Sequence, residues 1–271
     1  MAMQDQPLLC WRNLLAGASY TVIAGTEVAG YEADRMANND TLRGCRMTAD
    51  SNGDVIVDFA TASGYGYGSI PYGFGPWGGN WPIDAIVLGA NRHQSAGWRT
   101  PGLTWTVAGE QITDIWPQST AVIVRPAAPI VPGTTIRVQI SGAAAGQQVT
   151  IPELYAGPAL AMPYLDLGYD PYNEVTSAGA FRAESGREYL AVRYRRLELS
   201  PRWSAVTPDL WAMLDMVRED TFEARLPLWF AWAPASHPTE VYLMRHAQPS
   251  ATLPYRSATH RSLSLKLVES I

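Results

Sequence analysis

Four histidines, two cysteines and 25 acidic residues are the side chains from which chemistry could be assembled. His93, His237, His246 and His260 lie apart, and none has the HxH or HExxH spacing that sets two imidazoles on one metal. No GxSxG elbow, P-loop or GxGxxG follows a strand-like run. Cys10 and Cys45 lack the flanking signature of a cysteine hydrolase and are too few for a disulfide framework or a cysteine zinc site. They read as free thiols of a reducing compartment, with one bridge between them as the alternative. A carboxylate pair could serve glycoside hydrolysis, but spacing along a chain does not reveal one. The expectation is a protein that is not an enzyme and needs no cofactor and no metal.

Three segments carry sharper signals. Asp50-Ser51-Asn52-Gly53-Asp54 offers oxygen ligands like part of a calcium loop, yet the sixth and twelfth positions hold Val55 and Thr61 instead of glycine and glutamate. A hairpin turn, with Asn-Gly at positive φ, is the better reading. Ser63 to Pro82 sets seven glycines among Tyr65, Tyr67, Tyr72, Phe74, Trp77 and Trp81. Glycine at that density prevents a regular element, while the aromatics offer area for burial. They could anchor a protein interface, stack on sugar rings, or fold back over their own core. Arg193, Arg195 and Arg196, interleaved with Glu188 and Glu198, read as a salt-bridge face.

The elements that must position these residues are mostly strands. The chain has 271 residues, 47% hydrophobic and 17% charged, with a formal charge of -5. That excludes disorder, argues against nucleic acid as partner and leaves room for two domains. No run of roughly eighteen apolar residues suggests membrane insertion, and Met1 to Trp11 lacks the pattern of a secretion signal. Twenty prolines and 23 glycines punctuate short runs: Val55 to Phe59, Ile83 to Leu88, Leu103 to Val107, Ala121 to Val124, Thr134 to Ile140 and Thr150 to Tyr155. The last is expected to close the same sheet as Thr134 to Ile140. Gly157 to Gly179 reads as a domain connection, with some strand at Tyr164 to Leu167. Glu188 to Leu199 reads as one long strand with a bulge at Arg195-Arg196. Thr207 caps a helix near 207–220, with Leu210, Met213, Leu214 and Val217 as its apolar stripe. Pro227 to Trp232, Val241 to Arg245 and Ser262 to Val268 supply further strands. The predicted fold is all-β: two β-sandwich, jelly-roll-like domains, 1–160 and 161–271, with one short amphipathic helix in the second.

Lys266 is the sole lysine, so the positive charge is nearly all arginine. Arginine suits packed interfaces, although a GC-rich genome gives the same bias. Between Thr100 and Ala180 the only basic residues are Arg125 and Arg137, a low-charge stretch suited to a contact surface.

The order of features also matches a known pattern. Asn13-Leu14-Leu15, Tyr31 to Met36, Asn39-Asp40-Thr41, Val55 to Phe59, Pro82 to Leu88 with Asn91, and Ile151 to Gly157 resemble the discoidin-type, galactose-binding-like jelly rolls found in tail proteins of long-tailed bacteriophages. Arg193 to Leu199, the single helix, Pro227 to Ala231 and Tyr242 to Arg245 resemble the C-terminal part of the same proteins, of distal tail or minor tail type. The resemblance implies a structural component of the virion's tail tip or baseplate, made in the host cytoplasm. Its partners would be copies of itself in a ring and neighbouring tail proteins. The Gly-aromatic insertion departs from that pattern. Discoidin-type domains often bind glycans, so a carbohydrate-binding module touching host surface sugars is the alternative function, with Tyr65, Trp77 and Trp81 exposed.

Overall fold

The computed structural model describes residues 5–16, 18–37, 44–61, 81–89, 103–112, 121–131, 133–151, 153–182, 188–222, 226–247 and 260–270, with backbone alone over 177–182 and 188–194. The chain is all-β: antiparallel sheets dominate, and the described residues hold one α-helix. It divides into two compact units, Met1–Met162 with Leu228–Tyr242, and Pro163–Pro227 with Leu243–Ile271. Where the sequence suggested one continuous domain over 161–271, the Leu228–Tyr242 segment belongs with the first unit.

In the first unit a five-stranded sheet runs in the order Ser19–Ala24, Val55–Ala60, Thr135–Ser141, Thr104–Val107, Glu110–Ile112. Period-two alternation explains its buried face. Val55, Val57 and Phe59 point inward, as do Ile136, Val138 and Ile140, and register pairs Val57 with Val138. On the outer face Asp58 meets Arg137 in a bidentate pair, both contacts 2.8 Å. That pair holds the Asp58 carboxyl below its ordinary value, so its contribution is present at neutral pH and lost as pH falls through the depressed value. Asp58→Asn is expected to lower stability at pH 7 by about 0.5–1 kcal/mol. Urea melts of the two proteins should converge as pH falls through that depressed value and the wild-type carboxyl also becomes neutral.

Two smaller sheets share that core. Cys45–Thr48 pairs with Gln148–Ile151 and Thr26–Glu27. Ala85–Gly89 pairs with Glu153–Gly157 and Ala121–Val124. Met47, Cys45, Val149, Ile86 and Leu154 lie in one cluster with Phe59, Trp105 and Ile136. The Thr150–Tyr155 run is therefore two strands in two different sheets, and neither joins the sheet of Thr135–Ser141. Asn13 ties the chain's first stretch to this core: its Nδ2 donates to Leu154 O (2.8 Å) and its Oδ1 accepts from Ala156 N (3.2 Å). A further strip sets Leu8–Cys10 between Ala159–Ala161 and Leu228–Ala231.

The Asp50–Asp54 turn also differs from expectation. It joins Cys45–Thr48 to Val55–Ala60, which lie in different sheets, so it is not a hairpin turn. Asp50 Oδ1 accepts from Asn52 N (2.8 Å) and Asp54 N (2.9 Å), closing the turn from within. Gly53 alone takes a positive φ, +82°, and a Cβ there would lie 2.1 Å from Ala143 O.

In the second unit Glu174–Arg182 forms a hairpin with Glu188–Leu199. Leu267–Glu269 lies between Glu198–Leu199 and Met244–His246. The bulge falls earlier than expected: Ser177 pairs with Tyr194 and Ala178 with Val192, leaving Arg193 over. Arg202–Val206 pairs with Arg261–Ser264. The alternating run Ser262 to Val268 is therefore split into two strands, although Leu263, Leu265 and Leu267 are all buried. The helix spans Pro208–Val217, its first turn closed by Thr207 Oγ1 accepting from Leu210 N (3.4 Å). Its buried face is Leu214, Met216 and Val217, while Met213 is 38% exposed. A π turn over Arg218–Phe222 follows.

Candidate interaction site

The side chains singled out for chemistry do not converge among the described residues. Among the described residues no group of three His, Cys, Asp or Glu is placed to hold a metal. Both cysteines are free and buried. Burial pushes each thiol well above its ordinary value, the reverse of what a nucleophile needs. His246 is buried in its strand. His237 stacks on Trp232 with ring centroids 4.7 Å apart, and its Nδ1 lies 3.4 Å from Glu240 Oε1. Trp232 Nε1 donates to Glu240 Oε2 (2.9 Å), and His237 N donates to Ala233 O (2.7 Å). That arrangement braces a turn ahead of Val241. His93 lies outside the described residues.

Of the Gly-aromatic candidates, Tyr65, Tyr67, Tyr72, Phe74 and Trp77 also lie outside them. Trp81 is described and is part-buried. Its ring meets Trp11 edge-on, centroids 5.7 Å and planes 76° apart. Trp11 is itself 7% exposed, so Trp81 is anchored to the core of the first unit.

Arg195 and Arg196 meet carboxylates. Arg196 Nη2 donates to Glu198 Oε1 (2.6 Å), Lys266 Nζ stands 3.9 Å from Glu198 Oε2, and Arg195 Nε stands 3.9 Å from Glu174 Oε1. Of Arg193 only the backbone is described.

The site the structure brings forward is one the sequence passed over as a connection. Residues 163–173 form no strand, including Tyr164 to Leu167, yet both ends are pinned inside the second unit. Trp203 Nε1 donates to Pro163 O (2.9 Å), and Asp166 N donates to Arg202 O (2.9 Å). Asp166 Oδ1 accepts from Ser204 Oγ (2.6 Å) and Ser204 N (3.2 Å). At the other end Glu198 N donates to Asn173 O (3.0 Å), and Asn173 Nδ2 donates to Glu198 O (2.8 Å). Asp170 Oδ1 accepts from Tyr172 N (2.9 Å), a local turn, and Gly168 supplies a positive φ of +88° at the tip.

Between the pins the loop holds apolar side chains in water. Leu167 is 105% exposed, Tyr164 65% and Tyr172 57%. Under the loop is a cavity of about 310 Å³, lined by Asp166, Asp170, Asn173, Glu198, Ser200 and Arg202 among others. Acceptors, an amide and a guanidinium thus line it together with Tyr169. The sequence signal was present in Asp166-Leu167-Gly168-Tyr169-Asp170, a turn-forming string around an isolated leucine. What made it a site, the long-range hydrogen bonds to Arg202, Ser204 and Glu198, leaves no local mark.

No protein-family model matches the chain, and no curated protein matches it.

Proposed function

We propose that the chain is a structural component of a bacteriophage tail tip or baseplate, acting through contacts with copies of itself in a ring and with neighbouring tail proteins. The ordered motifs of the sequence support the tail assignment. The observation that carries the contact reading is the pinned 163–173 loop. Interfaces draw most of their energy from a few apolar or aromatic anchors, and anchors already held in place lose little freedom on binding. Leu167, Tyr164 and Tyr172 fit that description: exposed, yet set on a loop hydrogen-bonded at both ends. The role needs no cofactor.

The test is the mass in solution, with electron microscopy, of the full chain and of Leu167→Asp. The wild type should form closed rings. Leu167→Asp should cut the population in closed rings at least tenfold while leaving the circular dichroism unchanged. A wild type that stays a single chain at about 100 µM, or a variant that still closes rings, overturns the ring reading.

The cavity favours a second reading, a carbohydrate-binding surface. Its donors and acceptors suit sugar hydroxyls, and Tyr172, between lining residues Asp170 and Asn173, offers a stacking face. A glycan array probed with the wild type and Tyr172→Ala decides it: binding that the substitution removes supports the reading, and an empty array ends it.

A further inference from the structure

The strand Glu174–Arg182 is the last in its sheet, and among the described residues no strand pairs with its outer edge. Among the described residues its inner neighbour, Glu188–Leu199, meets the next strand only at Glu198 and Leu199, so from Glu188 to Leu197 they show the hairpin as a two-stranded ribbon. A ribbon of two strands is marginal in water by itself, and an open edge is a template for another strand. Natural edges are guarded by proline, lysine or inward charge. Here Val175-Thr176-Ser177-Ala178-Gly179-Ala180-Phe181 contains no charge and no proline. The extra residue of the bulge, Arg193, lies in the inner strand, and the outer strand has no residue left over.

We propose that this edge pairs antiparallel with the same edge of a second copy, about a two-fold axis through Ala178. The strand is self-complementary in that register. Glu174 stands opposite the partner's Arg182, and Val175 opposite the partner's Phe181. Thr176 faces the partner's Ala180, and Ser177 the partner's Gly179. Opposite charges meet at both ends, strand-favouring apolar residues sit just inside them, and small residues fill the middle. Parallel pairing would set Glu174 against its own counterpart. Sliding the antiparallel register carries Glu174 away from an arginine. An isologous contact of this kind closes after two copies. It uses a different surface from the 163–173 loop and holds whether or not the chain serves a tail.

Full-length Ala178→Cys tests it. The native thiols are buried, so the introduced one is the reactive site. Copper-phenanthroline oxidation at about 10 µM chain should convert most of it to a disulfide-linked dimer. Thr176→Cys would lie about 14 Å from its own counterpart at 3.4 Å per residue and should cross-link at least tenfold less. In the Ala178→Cys background, Arg182→Glu should cut the yield about tenfold, and adding Glu174→Arg should restore it. Equal yields at positions 176 and 178, no cross-link at 178, or no recovery in the double swap overturns the proposal. Circular dichroism melts of each variant separate loss of pairing from loss of fold. Leu167→Asp should leave the cross-link unchanged, so a failure of rings and a failure of edge pairing are told apart.

Discussion

A chain cut after Met162 is expected to show no cooperative melt, although those residues make up most of the first unit. The missing part is the Leu228–Tyr242 segment. Its strand Leu228–Ala231 is buried at every position and forms one side of Leu8–Cys10, pairing Leu9 with Phe230 and Cys10 with Trp229. Leu228, Trp229 and Phe230 are each at most 1% exposed. At about 2–3 kcal/mol for each large apolar side chain, their loss removes roughly 6–9 kcal/mol. The usual stability of a domain is only about 5–15 kcal/mol. The cut also strips the partner of Ile123 N, which donates to Pro238 O at 2.9 Å. Near-UV circular dichroism during heating checks this. Residues 1–162 should give no sharp transition, and a peptide spanning Leu228–Tyr242 should restore one. A sharp melt of 1–162 alone would refute the assignment of that segment to the first core.

In the second unit Trp203→Ala should be the most damaging single substitution. Trp203 is 0% exposed and pairs with Leu263 in the sheet, while its Nε1 holds Pro163 O at 2.9 Å. Deleting a buried tryptophan side chain costs about 3–5 kcal/mol, a large share of what a small core supplies. Trp203→Phe keeps most of the burial and loses the hydrogen bond, about 1 kcal/mol. Urea titration should rank wild type, Phe and Ala in that order. Both substitutions release one pin of the 163–173 loop. Limited proteolysis there should therefore quicken even in Trp203→Phe at urea concentrations where the fold is intact. Unchanged cleavage in the phenylalanine variant would mean that Asp166 and Asn173 hold the loop without Trp203.

The faces of the strands were legible, and their partners were not. Alternation in Val55 to Phe59 and in Ile136 to Ile140 marks which side chains turn inward, because strand geometry imposes a period of two. Periodicity carries no information about which strand lies alongside. Asp50 to Asp54 therefore resembled a hairpin turn while joining two sheets, and Ser262 to Val268 resembled one strand while serving two. The helix shows the same limit. Thr207 and Pro208 marked its start, but a stripe counted at 3.6 residues per turn put Met213 on the buried face where the structure buries Met216, and gave no sign of the π turn after Val217. For the site, the aromatic string drew notice by composition, and of it Trp81 is the residue the structure places, against Trp11. The 163–173 loop has ordinary composition. Its character comes from anchors some 25 to 40 positions away, as in Asn173 to Glu198 and Pro163 to Trp203.

Lys266 sits at the root of the ribbon, its Nζ 3.9 Å from Glu198 Oε2 and its side chain 52% exposed. As the sole lysine, it makes the surface a nearly blank canvas for amine chemistry. A fluorophore ester would mark one side chain, and that side chain stands beside the strand that supports the open edge. An amine-reactive linker, in turn, reaches neighbours of the 163–173 loop from this chain's side chains through Lys266 alone, beside Glu198 under the loop, so a full map of those neighbours calls for carboxylate- or tyrosine-directed reagents as well.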